Sequence, residues 1–256
     1  MAALIIDLVP VLGDNYVHLV HEPNSGETAA VDPAVAGPVF DALRDRGWRL
    51  THILVTHHHN DHTGGISEIK RATGCTVIGN RNDARRIPGL DVGVVDGDTV
   101  RLGDQEARVF EVPGHTVGHV AYWFAASRAL FCGDTLFSIG CGRLFEGTPH
   151  QMWESLSALR ALPPETRVYC AHEYTQSNVR FALSVDPDNA ALRDRADEVA
   201  RLREAGRPTV PSVLGDEAAA NPFLRADDPD LAFRLGLAGA DPVTVLADIR
   251  ARKDRF

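Results

Sequence analysis

The amino-acid sequence predicts an α/β fold with more than one layer, closed by a helical C-terminal domain. Three observations predict it. Strand-length apolar runs bounded by Gly, Pro, Asp or Asn dominate up to about residue 172, as buried and half-buried strands do. Between some of them lie stretches with apolar residues at helical spacing, and strands alternating with helices build layered α/β architectures. Beyond His172 the chain turns to charged, helix-periodic sequence punctuated by Gly and Pro.

In chain order, the strand candidates are LIIDLVPV from Leu4, YVHLV from Tyr16, TAAVD from Thr28, THILVT from Thr51 and CTVIG from Cys75. They continue with ARVFEV from Ala107, HVAYWF from His119, ALFCG from Ala129 and RVYCA from Arg167. VFDALRDRG from Val39 reads as a helix stopped at Gly47, because glycine takes the left-handed conformation that ends helices. MWESLSALRAL from Met152 has helical apolar spacing, and Phe181 to Gly206 reads as largely helical. GRPTVPSVLGDEAAANPFLR is a Gly/Pro-punctuated connection. DPVTVLADIRARKDRF closes the chain as a helix with Asp241 as N-cap and Pro242 at its first position. These readings divide the chain into an α/β domain over 1–173 and a helical domain over 174–256.

Composition excludes several classes. The chain has 256 residues, 44% hydrophobic and 24% charged, enough to bury a core without disulfide staples. The net charge is −9, whereas a nucleic-acid binder needs a basic footprint to displace phosphate counterions. MAALIID lacks the basic start of a signal peptide, and no run approaches the ~20 apolar residues that span a bilayer. Cys75, Cys132, Cys141 and Cys170 form no CxxC pair. A cytoplasmic protein with reduced thiols is therefore expected, with no membrane or nucleic-acid partner. Cys141, in GCGR, reads as a small loop residue rather than an oxidation-sensitive thiol.

The informative stretch is Thr56-His57-His58-His59-Asn60-Asp61-His62, directly after HILV. His57 and His59 are two apart, so an extended chain points both imidazoles the same way. Asp61 and His62 follow where the chain turns. Two pairs of ligands offered around one turn suit two adjacent metal ions. His115, Asp134 and His172 each lie just past a strand candidate, where loops gather into sites on a rigid scaffold. Together these seven donors suffice for two metals with a shared carboxylate and an open position for water.

The pattern HHHNDH, with His115, GDT at Asp134 and His172, resembles the metallo-β-lactamase superfamily, whose signature is HxHxDH. Within it the chain resembles glyoxalase II, the hydroxyacylglutathione hydrolases, almost end to end. The segments that carry this closer likeness are GDNY, GCGRLFEGT, AHEYTQSN, PTVPS, NPFLR and RARKDRF. The resemblance implies an αββα sandwich with an appended helical, substrate-binding domain. It implies one metal on His57, His59 and His115, a second on Asp61, His62 and His172, and Asp134 bridging the two. His58 falls at the variable position of the signature and should turn away. Zinc is the expected ion, with iron or manganese compatible with the same donors.

The implied reaction is hydrolysis of S-2-hydroxyacylglutathione, S-D-lactoylglutathione above all, to glutathione and a 2-hydroxy acid by a hydroxide held between two metals. Asp61 is the candidate for orienting that nucleophile. By the resemblance, glutathione contacts fall to Arg143, Phe145, Tyr174, Arg250 and Lys253. Some members have Lys at the place of Arg143 and Tyr at that of Phe145, so weaker glutathione binding is expected here. The nearest rival is the glutathione persulfide dioxygenase of the same superfamily, followed by other hydrolases of this fold. A non-catalytic metal-binding module is the rival of a different class. Composition leaves the oligomeric state open.

Overall fold

The alternation of strand and helix signals takes shape in a computed structural model that describes residues 2–256. The chain divides into two compact units: one comprises residues up to 111 with 118–133, and the other comprises 112–117 with 134–256. The helical segment after residue 173 thus groups with 112–117 and 134–173.

The first unit begins with β1 (Ile5–Val11), β2 (Asn15–His21) and β3 (Thr28–Val31), followed by α1 (Ala36–Arg46) and β4 (His52–Leu54). It continues with the single turn α2 (Asn60–Thr63), α3 (Ile66–Thr73), β5 (Thr76–Asn80) and β6 (Val92–Val94). These six strands form one sheet in sequence order. β1 to β3 pair antiparallel, and β3 to β6 pair parallel. α1 ends as expected, with Gly47 at φ 67° returning its N–H to Arg44 and Leu43.

Val39 and Leu43 of α1 and Ile66 and Ile69 of α3 share one core with Val17, Leu19, Ile53, Val55 and Val77. The two-residue periodicity of Val17/Leu19 and Ile53/Val55 is that of strands sending alternate side chains to one face. The unit's remaining strands are β7 (Thr99–Leu102), β8 (Gln105–Glu111), β9 (Val120–Phe124) and β10 (Ala129–Gly133). They pair antiparallel in that order. Tyr122 on β9 is fully buried and donates its hydroxyl to the Val55 carbonyl at 2.9 Å. Phe131 on β10 packs 5.6 Å from the His18 ring of β2. The first unit is therefore a helix–sheet–sheet stack.

The second unit holds the short hairpin β11 (Leu136–Phe137) and β12 (Gly140–Cys141), α4 (Pro149–Arg160) and β13 (Arg167–Cys170). Helices α5 (Thr175–Val185) and α6 (Ala190–Glu204) follow. The chain closes with β14 (Ser212–Val213), α7 (Leu214–Ala220), α8 (Pro229–Arg234) and α9 (Pro242–Arg255). β13 pairs antiparallel with β14. The helical stretch from Phe181 is interrupted after Val185, and α6 restarts where Asn189 accepts the Leu192 N–H. Thr148 and Gln151 form a reciprocal capping box at the start of α4. Asp241 caps α9 by accepting from Val243 and Thr244, with Pro242 at the first position as the sequence predicts. Ile139, at the tip of the β11–β12 hairpin, is buried among Val179, Ala182, Leu192, Val199 and Ala220 of α5, α6 and α7. Among the described residues, no helix is long and apolar enough to cross a membrane.

Candidate metal centre

The first unit contributes a cluster of imidazoles and carboxylates just past the end of β4. Residues 55–59 run in irregular backbone before the single turn of α2, and this change of direction gathers the side chains. His57 Nε2 lies 3.0 Å from His59 Nδ1, and the His57 and His62 rings are 4.0 Å apart. The ligand atoms of Asp32, His57 and His62 lie within 4.8 Å of one another. Asp61 Oδ2 stands 3.6 Å from His62 Nε2. Two imidazole nitrogens 3.0 Å apart form a donor pair that one cation can satisfy.

The surrounding groups fix how these side chains point. Asp32, in the left-handed region at φ 51°, accepts from the Thr56 N–H at 2.7 Å and the Thr56 hydroxyl at 2.6 Å. It also stands 3.0 Å from His62 Nδ1. With Asp32 as acceptor, His62 carries its proton on Nδ1 and presents the Nε2 lone pair, as metal-ligating histidines do. Asn15 Nδ2 donates to the Asp61 carbonyl at 3.1 Å and to its carboxylate at 3.3 Å. His119 stacks on His57 at 4.7 Å. His58 turns to Asp83, 3.1 Å away, as expected of the variable position.

The second unit contributes a carboxylate between two imidazoles. Asp134 Oδ2 is 3.5 Å from His115 Nε2, and its other oxygen, Oδ1, is 3.3 Å from His172 Nε2. All three residues are buried. His115 Nδ1 donates to the Arg143 carbonyl at 2.9 Å, which again leaves Nε2 as the lone-pair nitrogen. One carboxylate with each oxygen toward a different imidazole is the arrangement a bridging ligand requires. Gly133, at φ 47°, is needed just before Asp134, because a side chain there would run into Thr56 and His119.

Aromatic and basic residues surround this second cluster. Phe145, 63% exposed, sets its ring edge-on to His115 at 5.2 Å. Tyr174, 37% exposed, stacks on His172 at 4.6 Å. Arg143 is largely exposed, with Asp254 3.7 Å from its Nε. Arg250 and Lys253 stand one turn apart on α9. The Arg250 guanidinium is buried; Nη1 donates to the Cys141 carbonyl at 2.8 Å, Nη2 pairs with Asp254 at 3.0 Å, and Nε has no acceptor. Lys253 Nζ lies over the Phe181 and Phe256 rings and reaches the Ser177 carbonyl and hydroxyl at 3.3 and 3.2 Å. Partial burial, followed by repulsion from Arg250, Arg180 and Arg143, pulls its ammonium from 10.5 to about 8. That combination marks a place for an anion.

The four cysteines are all buried as free thiols. Burial pushes Cys141 up to about 11 and Cys170 up to about 12, and Cys141 lies on β12 rather than in a loop, its thiol buried.

The sequence-predicted donors therefore fall into two sets: His57, His59, Asp61 and His62 in the first unit, and His115, Asp134 and His172 in the second. Asp32 and Asn15 escaped the sequence reading. Asp32 carried the signal used for the other donors, an acid just past the apolar run TAAV. Asn15 lies in the GDNY segment, but its partner Asp61 is not local.

A family model described as metallo-beta-lactamase superfamily matches residues 12–172, and one described as hydroxyacylglutathione hydrolase C-terminus matches 173–256. A protein named hydroxyacylglutathione hydrolase from Methylococcus capsulatus is 62% identical over 97% of this chain and 97% of its own. One of the same name from Rhodospirillum rubrum is 60% identical over the whole of both chains. Among solved structures, ETHE1 from Myxococcus xanthus superposes with a TM-score of 0.68 at 25% identity, over 97% of this chain and 98% of that one.

Proposed function

The chain belongs to the metallo-β-lactamase superfamily and, within it, to the hydroxyacylglutathione hydrolases, and from that premise we propose that it hydrolyses the thioester of S-2-hydroxyacylglutathione. The observation that carries the reading is the Asp134 carboxylate, one oxygen toward His115 and the other toward His172, beside two exposed aromatic rings.

We assign His57, His59 and His115 to one divalent ion and Asp61, His62 and His172 to the other, with Asp134 between them. Zinc is the proposed occupant, since three imidazoles have one nitrogen engaged by an oxygen partner and the other turned to the cluster. Bound there, two such ions would supply an activated water near neutral pH and a Lewis acid for the thioester oxygen.

The chain's own residues do the rest. Asp61, held by Asn15, orients the water for attack. The leaving thiol has a pKa near ~8.5, so it departs as thiolate without a strong acid nearby. Tyr174 and Phe145 wall the glutathione moiety. Lys253 receives a carboxylate and Arg143 adds a second charge, while Arg250, its guanidinium buried on the Cys141 carbonyl and beside Asp254, lends positive charge from beneath. The functional boundary then lies at 173/174, with 1–173 carrying all seven metal donors together with Arg143 and Phe145, and 174–256 the remaining substrate contacts. The small-molecule substrate and four buried reduced cysteines suit the cytoplasm.

The test is S-D-lactoylglutathione hydrolysis by the purified protein, with metal counted in the same sample. Rapid thioester loss with close to two metals per chain is expected. Full metal loading without turnover would overturn the reading.

A further inference from the structure

Four helices of the C-terminal segment each send a polar side chain into one short turn, the tip of the β11–β12 hairpin. Asn178 of α5 donates to the Ser138 carbonyl at 3.1 Å, and Arg195 of α6 reaches the Ser138 hydroxyl at 3.0 Å. Glu217 of α7 accepts the Ile139 N–H at 2.8 Å. Asn221, just past α7, donates to the carbonyls of Phe137 and Gly140 at 3.2 and 3.0 Å, and to Glu217 Oε2 at 3.1 Å. Arg250 of α9 closes the turn on the Cys141 carbonyl at 2.8 Å. Ile139 needs such support: it is β-branched yet has φ 55°, a region that costs L-residues energy and persists only where surroundings over-determine it.

The hairpin touches every candidate donor of the second unit. It begins two residues after Asp134. Phe137 packs edge-on against His172 at 5.9 Å and against Tyr174 at 5.3 Å. The strand back crosses the start, with the Gly142 N–H on the Thr135 carbonyl at 3.3 Å, and delivers the Arg143 carbonyl to His115 Nδ1. A shift of the tip therefore moves the carboxylate, one imidazole's wall and the other imidazole's orienting acceptor together. Glu217 and Asn221 touch none of the donors themselves. They are buried, and Asn221 opens the NPFLR segment that substrate recognition leaves unexplained.

We propose that Glu217 and Asn221 are positioning residues of the metal centre, which set Asp134 and His115 by clamping the hairpin tip 137–141. The inference rests on the reading that Asp134, His115 and His172 bind metal. The C-terminal helices then build the metal site as well as the substrate wall. Partners that orient metal ligands typically change affinity by about 10–100-fold when lost.

The experiment titrates zinc into metal-free protein against a chromophoric chelator, for wild type, Glu217→Ala, Asn221→Ala and Glu217→Gln, with each variant's thermal transition recorded metal-free. Ser127→Ala, which removes buried hydrogen bonds to Leu4 and Gln105 in the first unit away from the donors, is the control for lost stability alone. Glu217→Ala and Asn221→Ala should each weaken zinc binding by about 10-fold or more. Glu217→Gln should recover it, because its amide oxygen still accepts from Ile139 and Asn221, and Ser127→Ala should bind as wild type does. Asn221→Ala keeps the Glu217–Ile139 bond and so tests the clamp even if Glu217→Ala does not fold. Wild-type zinc affinity in a folded alanine variant overturns the proposal, as does an equal loss in Ser127→Ala. Absence of zinc binding by the wild type would instead overturn the ligand assignment, and the inference with it.

Discussion

Lys253 offers a sharp quantitative test, because its chemistry is written in how stability varies with pH. Burial, followed by the Arg250, Arg180 and Arg143 charges, holds its ammonium at about 8 instead of 10.5, against the opposing pull of Asp254. The unfolded chain therefore keeps this proton over a pH range in which the folded chain has released it. Stability rises with pH wherever the unfolded state binds more protons, so the penalty is fully present below pH 8 and is relieved as pH climbs to 10.5. The fall to about 8 corresponds to about 3.4 kcal/mol at about 1.36 kcal/mol per pH unit. The side chain is half open to solvent, and screening reduces this to about 1–2 kcal/mol. Lys253→Met removes the titration. Its lost bonds to Ser177 and altered packing are the same at every pH and cancel in the comparison. Urea unfolding of both proteins at pH 7.5, 9 and 10.5 should show wild type gaining about 1–2 kcal/mol relative to the variant. A difference that stays flat across that range would refute the reasoning. An anion bound beside Lys253 stabilises the ammonium, so KM for the thioester should also rise above pH 8 in wild type and not in the variant.

Phe145→Tyr restores a hydroxyl beside His115, and steady-state kinetics should show a lower KM for S-D-lactoylglutathione; an unchanged KM would count against the glutathione role of this position. Asp61→Asn should lower kcat by about 100-fold or more, and full turnover with both metals retained would remove Asp61 as the orienting group. Gly142→Ala would place a methyl on the Asp134 carbonyl oxygen, a backbone atom that cannot rotate away. It should cost about 1–3 kcal/mol or more, read as a lowered thermal midpoint together with weakened metal binding.

Much of the architecture was legible because its signals are local. The Asp241–Pro242 start of α9 and the Gly47 stop of α1 need only neighbouring residues, and the apolar runs from Leu4 to Arg167 mark nine of the strands. β6 was not legible: Val92–Val94 is too short and too close to Gly and Asp to read as a strand, and its order comes from parallel pairing with β5. α8 starts at an equally local signal, an Asp228 cap followed by Pro229. Within the candidate site, His57, His59, Asp61 and His62 announce themselves because they fall within six residues of one another. Asp32 carries a strand-end signal of the same kind, but its hold on Thr56 and His62 depends on the parallel register of β3 and β4, which is not local. Arg250 is similar: a basic residue near a helix end suggests exposure, yet its guanidinium is buried on a carbonyl 109 residues away.

The burial of Cys141 bears on how such an enzyme withstands the oxidised form of its own product. Each turnover would release glutathione, whose disulfide exchanges with thiolates, near β12, where the Cys141 carbonyl anchors Arg250. A thiol held at about 11 is ionised in only about one molecule in ten thousand at pH 7, and the thiolate is the species that exchanges with disulfides or meets electrophiles. Cys170, at about 12, is more inert still, and Cys75 and Cys132 are shielded by the fold. The folded chain therefore offers oxidised glutathione and reactive carbonyls almost no sulfur to attack, so its activity should persist when the surrounding thiol pool is depleted.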